Sequence, residues 1–194
     1  MDRFLRFAIP TMFAGIALGL LYVVFGASSK GSHRDPVAKL AIGALAKLDL
    51  SDRGVAAPTS PFVDIEGQSV TLQDFEGQAV LINFWATWCP PCIHELPSLM
   101  RLDQRLRQQN MAVMLISVDR AGIDKARPFL EKLGIAGTEL GFDPRGDLAK
   151  AVGIKALPTS FCINADGIMT AQIVGDVEWD QPAVIETILP YLSA

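Results

Sequence analysis

The chain has 194 residues, half of them hydrophobic, with a mean hydropathy of +0.30 and a formal net charge of −4. That length holds one ordinary domain with additions and leaves no room for two full ones. Residues 1–58 carry 7 basic and 4 acidic side chains, which leaves 10 basic and 17 acidic over residues 59–194. A domain this acidic does not seek phosphate backbones, which argues against nucleic-acid binding.

The excess hydropathy has a local source. No charged side chain occurs from residue 7 to residue 29. As a helix, residues 8–26 would be about 28 Å long, close to the roughly 30 Å hydrocarbon core of a bilayer. Arg3 and Arg6 precede the stretch and place the N-terminus in the cytoplasm, although Lys30 and Arg34 beyond it weaken the asymmetry. The rival reading is a cleaved signal peptide, whose apolar region normally runs about 7–15 residues to a small-x-small site. Here cleavage after Ala27 would put Phe25 three positions back, and cleavage after Gly26 would put Val24 there. No cysteine follows the stretch to take a lipid. The expected division is a cytoplasmic N-terminus and transmembrane signal anchor over 1–29, a linker with a short helix over 30–57, and a domain outside the cytoplasm over 58–194.

Along the linker, Ser28, Ser29, Gly31 and Ser32 mark an exit from the membrane. The apolar spacing over 36–48 then predicts a short helix with Asp35 at its cap. The spacer ends around Gly54 and Pro58. Residues 62–64 and 69–71 read as a short hairpin around Glu66-Gly67. Residues 80–85 form a near-continuous apolar run, expected of a strand buried on both faces. A helix over 92–109 and a second buried strand over 111–118 follow. Residues 123–133 read as helix, with Pro128 against it, and 147–152 as a shorter one. Strands over 159–163 and 168–174 flank Asn164-Ala165-Asp166-Gly167, a hairpin turn, and a helix over 182–192 closes the chain. This order predicts an α/β sandwich with a central mixed sheet flanked by helices.

Three cysteines occur, and two of them, Cys89 and Cys92, stand three positions apart between a buried strand and a helix. Unpaired N–H groups and partial positive charge at a helix start stabilise a thiolate. Cys89 is therefore the expected nucleophile with a lowered pKa, and Cys92, one turn on, the resolving thiol. Pro90 and Pro91 between them have no N–H to offer and stiffen the loop, and Pro91 suits a first helical turn. Other uses of the pair fare worse. Structural zinc needs four ligands, and only Cys162, His33 and His94 remain as soft candidates. Haem attachment needs His directly after the second cysteine, where Ile93 stands. A purely structural disulfide would close too short a loop to stabilise much.

The segment Asn83-Phe84-Trp85-Ala86-Thr87-Trp88-Cys89-Pro90-Pro91-Cys92, with Pro97 beyond it, resembles the active-site segment of the thioredoxin superfamily, and Leu157-Pro158-Thr159 resembles its cis-proline loop. The resemblance implies a thioredoxin-like fold and a cis Leu157–Pro158 bond beside the cysteines, with the backbone of Leu157 pairing to a bound substrate strand. The anchor, Glu95-Leu96-Pro97 and the turn after Pro158-Thr159 resemble the membrane-tethered TlpA/ResA/CcmG-like group, in which the spacer helix and Gly175-Asp176-Val177-Glu178-Trp179 fit the TlpA branch best. Pro158 follows Cys92 by 66 residues, which leaves space for that group's helical insertion.

One departure from thioredoxin bears on mechanism. Asn83 replaces a buried aspartate, and asparagine cannot take a proton from the resolving thiol. Glu95, three residues after Cys92, is a substitute acceptor, beside the plainer reading of a solvent-facing glutamate; Asp143 is a weaker candidate. Trp88 is expected to shield the disulfide and meet partners, Trp85 to pack, Trp179 to pack or else line a partner site, and Cys162 to act as a small buried hydrophobe. His94 is read first as a solvated helix residue.

The resemblance implies a periplasmic dithiol reductase of the bacterial inner membrane. Its clients would be cytochrome oxidase copper-site proteins or apocytochrome c, and a membrane electron donor of the DsbD/CcdA type would recharge it. No cofactor is expected beyond the Cys89–Cys92 dithiol. A thiol oxidase or isomerase shares every residue named. A thiol peroxidase needs Pro-x-x-x-Thr-x-x-Cys, and Ile82 and Ala86 stand where Cys89 would require Pro and Thr. A copper carrier using the two cysteines and a histidine is the non-enzymatic alternative.

Overall fold

The computed structural model describes residues 48–194. The signal anchor lies outside the described residues, as does the predicted linker helix except for Leu48, which opens the first strand. Among the described residues no helix is long and apolar enough to cross a membrane.

The apolar runs become the centre of the sheet. Strand β5 (Ala79–Trp85) and strand β6 (Met111–Ser117) are buried along their whole length. They pair in parallel from Ala79 opposite Met111 to Trp85 opposite Ser117. The predicted hairpin forms β8 (Thr159–Ile163) and β9 (Ile168–Val174), and β8 runs antiparallel to β5. On the other side β6 pairs in parallel with β7 (Glu139–Phe142), which is followed by the small hairpin of β3 (Phe62–Val63) and β4 (Ser69–Val70). Two very short strands, β1 (Leu48–Asp49) and β2 (Val55–Ala56), both pair antiparallel with β9. The order is β1-β9-β8-β5-β6-β7-β3-β4, with β2 also on β9, a mixed sheet as expected.

Alternation along β5 sorts its side chains to two faces. Val80, Ile82 and Phe84 join a core with Met114, Ile116 and Phe161, closed by Leu148 and Val152. Leu148 belongs to helix α3 (Asp147–Ala151), and Val152 directly follows it. The odd positions face helix α1 (Pro90–Leu106) and helix α2 (Ile123–Lys132): Asn83 bonds a side chain of α1, and Trp85 packs on Phe129 of α2. Helix α4 (Pro182–Leu192) packs on β8 and β9.

Two features depart from the element order read in the sequence. Within the stretch read as linker, β1 and β2 pair with β9 and so belong to the sheet. They are two residues each and carry no alternation of their own, so only the partner strand defines them. Strand β7 was not expected; Gly141 interrupts its apolar pattern because Phe62 crosses so closely that a Cβ there would lie 2.8 Å from the ring. Helix α2 forms as expected and keeps Pro128 in its interior, because amphipathic packing of Ala126 and Leu130 outweighs one lost backbone bond.

Candidate active site

The loop leaving β5 delivers the cysteines to the start of α1. Asp119, buried just after β6, holds that loop: it accepts bonds from the Thr87 N–H and the Thr87 hydroxyl, each 2.8 Å, and from the Ser117 hydroxyl at 2.9 Å. Cys89 is the N-cap of α1 with an extended backbone, and Pro90 and Pro91 fill the first helical positions, where a missing N–H costs nothing. Cys89 and Cys92 are joined as a disulfide, with Cα atoms 5.3 Å apart. The Cys92 N–H points at the Cys89 sulfur at 3.4 Å. A sulfur placed there receives the helix N-terminal field that favours its thiolate.

The two sulfurs have different surroundings. Cys89 keeps 4% of its surface exposed and lines a groove, whereas Cys92 is sealed at 0%. Trp88 beside them is 66% exposed, and Pro90 and Pro91 are exposed as well. The Leu157–Pro158 bond is cis. Leu157 and Trp88 wall the same groove of about 600 Å³, with Val118 and Ile154 adding apolar surface.

Behind Cys92, α1 turns Glu95 inward, which corrects the solvent-facing reading. Glu95 is 1% exposed. Its Oε1 accepts from Asn83 Nδ2 at 2.7 Å, and its Oε2 accepts from the Val177 N–H at 3.0 Å and from Trp179 Nε1 at 2.9 Å. Among the described residues no cation pairs with it. Burial pushes its carboxyl up from the ordinary 4.5 to about 7, and the Trp179, Asn83 and Val177 donors pull the other way. Asn83 also donates to Ser160 Oγ at 2.9 Å, while its own Oδ1 is buried without a partner. Ser98, one turn on, accepts from the Trp179 N–H at 3.1 Å, so α1 and the 175–179 segment are tied at two levels.

Of the residues singled out in the sequence, the structure brings Trp88, Cys89, Pro90, Pro91 and Leu157 to one opening and buries Cys92, Glu95 and Pro158. Ser98, Ser160 and the Val177 N–H were not singled out, and Trp179 was read first as packing, with a partner site as the alternative. Trp179 is indeed fully buried, and its indole N–H is also committed to Glu95. The one available signal was an asparagine inside an otherwise apolar strand, which needs a polar partner when buried. Asp143 is buried but serves α3, accepting from the N–H groups of Asp147 and Ala149 at 2.9 Å each. His94 is largely exposed, with Nδ1 3.7 Å from Asp176. Cys162 is sealed in β8, where burial pushes its thiol up to about 12.

Comparison with known proteins agrees with this geometry. A family model described as the AhpC/TSA family matches residues 54–172. The chain is 30% identical over 139 residues to a thiol-disulfide oxidoreductase ResA of Bacillus cereus, covering 72% of this chain and 79% of that one. Among solved structures, a protein described as thiol:disulfide interchange protein DsbE from Chlorobium tepidum superposes with a TM-score of 0.66 at 31% identity, covering 73% of this chain and 99% of the other. A DsbF homologue from Corynebacterium diphtheriae gives 0.57 at 25% identity, covering 73% and 92%.

Proposed function

This chain belongs to the AhpC/TSA family within the thioredoxin superfamily and is a thiol–disulfide oxidoreductase of ResA/DsbE type, and from that premise we propose that it is a periplasmic reductase of exported proteins. Residues 1–29 tether it to the bacterial inner membrane. Its clients are metalloprotein-assembly substrates, either copper-site proteins of cytochrome oxidase or apocytochrome c, whose cysteines must be reduced before metal or haem attaches. The dithiol is its only redox group, and a membrane donor of the DsbD/CcdA type recharges it.

The observation that supports thiol–disulfide exchange by this pair is its asymmetry, with Cys89 opening on the groove and Cys92 sealed in the interior, where Glu95 is buried as well. The client strand lies in the groove along Leu157. The Cys89 thiolate attacks one client sulfur, forming a mixed disulfide and expelling the other client sulfur as thiolate. Cys92 then loses its proton and attacks the Cys89 sulfur. The Cys89–Cys92 bond forms, the client leaves with both sulfurs reduced, and two electrons have passed to it. The Cys92 proton cannot pass directly to solvent. Glu95, one turn away on the same buried face and held near neutrality, is its acceptor.

The test is the equilibrium potential of the full-length chain in glutathione buffers, with Cys89→Ser and Cys92→Ser alongside. A value near roughly −270 mV fits a reductase, and one near about −120 mV would make the protein an oxidant and sink the proposed direction. Cys92→Ser is expected to accumulate a mixed disulfide with a client protein, visible as a mass increase removed by dithiothreitol, and Cys89→Ser to form none.

A further inference from the structure

The groove beside Cys89 has walls of one polarity and a rim of one charge. Its apolar lining comes from Trp88, Val118, Ile154 and Leu157, and among the described residues the only charged ones that line it are Lys150 and Lys155. Both lysines are exposed. None of the 17 acidic side chains of residues 59–194 lines it, although they outnumber the 10 basic ones there. A domain with net negative charge therefore presents a locally cationic mouth at the one place where its sulfur is reached.

The lysines are differently held. Lys150, in α3, lies 3.4 Å from the Arg145 carbonyl, a weak tie that leaves its charge unneutralised. Lys155 lies in the segment between α3 and the cis-proline loop, and its charge is felt weakly by Asp49 of β1, an exposed group. Low-dielectric walls strengthen the field of such a rim toward anything seated between them. A client strand along Leu157 would run past both ammonium groups.

We propose that Lys150 and Lys155 make this groove selective for client segments whose disulfide is flanked by acidic side chains. The rest of the domain repels acidic chains weakly and from all sides. The groove is the exception, so an acidic flank is attracted only in the orientation that brings its disulfide to Cys89. A basic flank is drawn to the acidic surface elsewhere and is repelled at the mouth. This assignment rests on the reductase reading, and it names the chemistry of the substrate that reading leaves open.

The test uses three synthetic peptides with one intramolecular disulfide, identical except for two flanking residues that are aspartate, serine or lysine. Reduction by the full-length chain, recharged with dithiothreitol at limiting concentration, gives kcat/KM for each. At low salt the aspartate peptide is expected to be reduced roughly tenfold faster than the lysine peptide. That ratio should shrink as ionic strength rises and reverse in the double variant K150E/K155E. The serine peptide reports any change in Cys89 reactivity that the lysines cause for all clients alike, and dividing by it isolates selectivity. An aspartate-to-lysine ratio unchanged by the double variant would overturn the proposal while leaving the reductase reading intact. Failure to reduce any of the three peptides would overturn both.

Discussion

The two sides of helix α1 hold the two halves of one reaction in opposite media. On the outer side Trp88, Cys89 and the two prolines face solvent and client. On the inner side Cys92, Glu95 and Ser98 are buried, and Glu95 and Ser98 are bonded to Asn83, Val177 and Trp179. The outer side needs access and a fixed field, which a helix N-terminus supplies whatever the flanking residues. The inner side needs a group that changes protonation without water, which only burial combined with several donors supplies. The sulfurs are adjacent, so the separation of access from proton handling is made within one helical turn.

The largest test of this division is Glu95→Gln. It leaves the outer side intact and is expected to slow the Cys92-dependent step by about 100-fold, the usual size of a general-base contribution. Release of client from the Cys89 mixed disulfide, followed by stopped-flow, should rise through pH 7 in the wild type as Glu95 becomes a carboxylate. In the variant that rise should be absent. A wild-type inflection retained in Glu95→Gln would assign the proton to another group.

The same carboxyl leaves a mark on stability. Its pKa in the fold is raised from 4.5 to about 7, so the stabilising contribution is complete below pH 4.5 and is lost as pH rises through 7. The shift corresponds to on the order of 3 kcal/mol. Urea unfolding of the oxidised protein should therefore show the wild type losing stability relative to Glu95→Gln between pH 4.5 and 7. Parallel curves would mean that Glu95 does not titrate in that window.

Trp179→Phe is a smaller perturbation. It removes one donor to the Glu95 carboxylate while keeping most of the packing, so the kinetic inflection should move upward by roughly one pH unit. The stability cost should be about 1–2 kcal/mol, with the indole replaced by a smaller ring. An inflection that stays in place while stability falls would reduce Trp179 to packing. Smallest of all is Cys162→Ala, which touches neither side of α1. It should leave the redox potential unchanged and cost about 1 kcal/mol for the small void, read from the urea midpoint.

The outer side was legible from sequence because its residues are contiguous. Trp88 to Cys92 is a local motif, and Leu157-Pro158 is a second one. The central strands and α4 were legible for a related reason, since apolar runs and a four-residue turn are local signals. The inner side was not, because Asn83, Glu95, Ser98, Val177 and Trp179 come from three segments spread over nearly a hundred positions. No periodicity links them. Glu95 shows the difficulty most plainly: a glutamate on an amphipathic helix reads as solvated, and only the donors arriving from residues 177 and 179 make an inward position affordable. Lys150 and Lys155 were missed for the opposite reason, since an exposed lysine carries no sequence signal until the groove is known.

The strands β1 and β2 have a consequence for how the molecule keeps to itself. Their four residues lie along β9, with Leu48 opposite Ile173 and Val55 opposite Met169. Without them β9 would be a seven-residue border of the sheet with open N–H and C=O groups, a template for the same strand of another copy. The segment that joins the domain to the preceding residues thus also acts as a guard against aggregation. Cutting the chain at residue 58 would remove that guard while leaving the cysteines untouched, and the shortened protein would stay redox-active and become prone to stacking through β9.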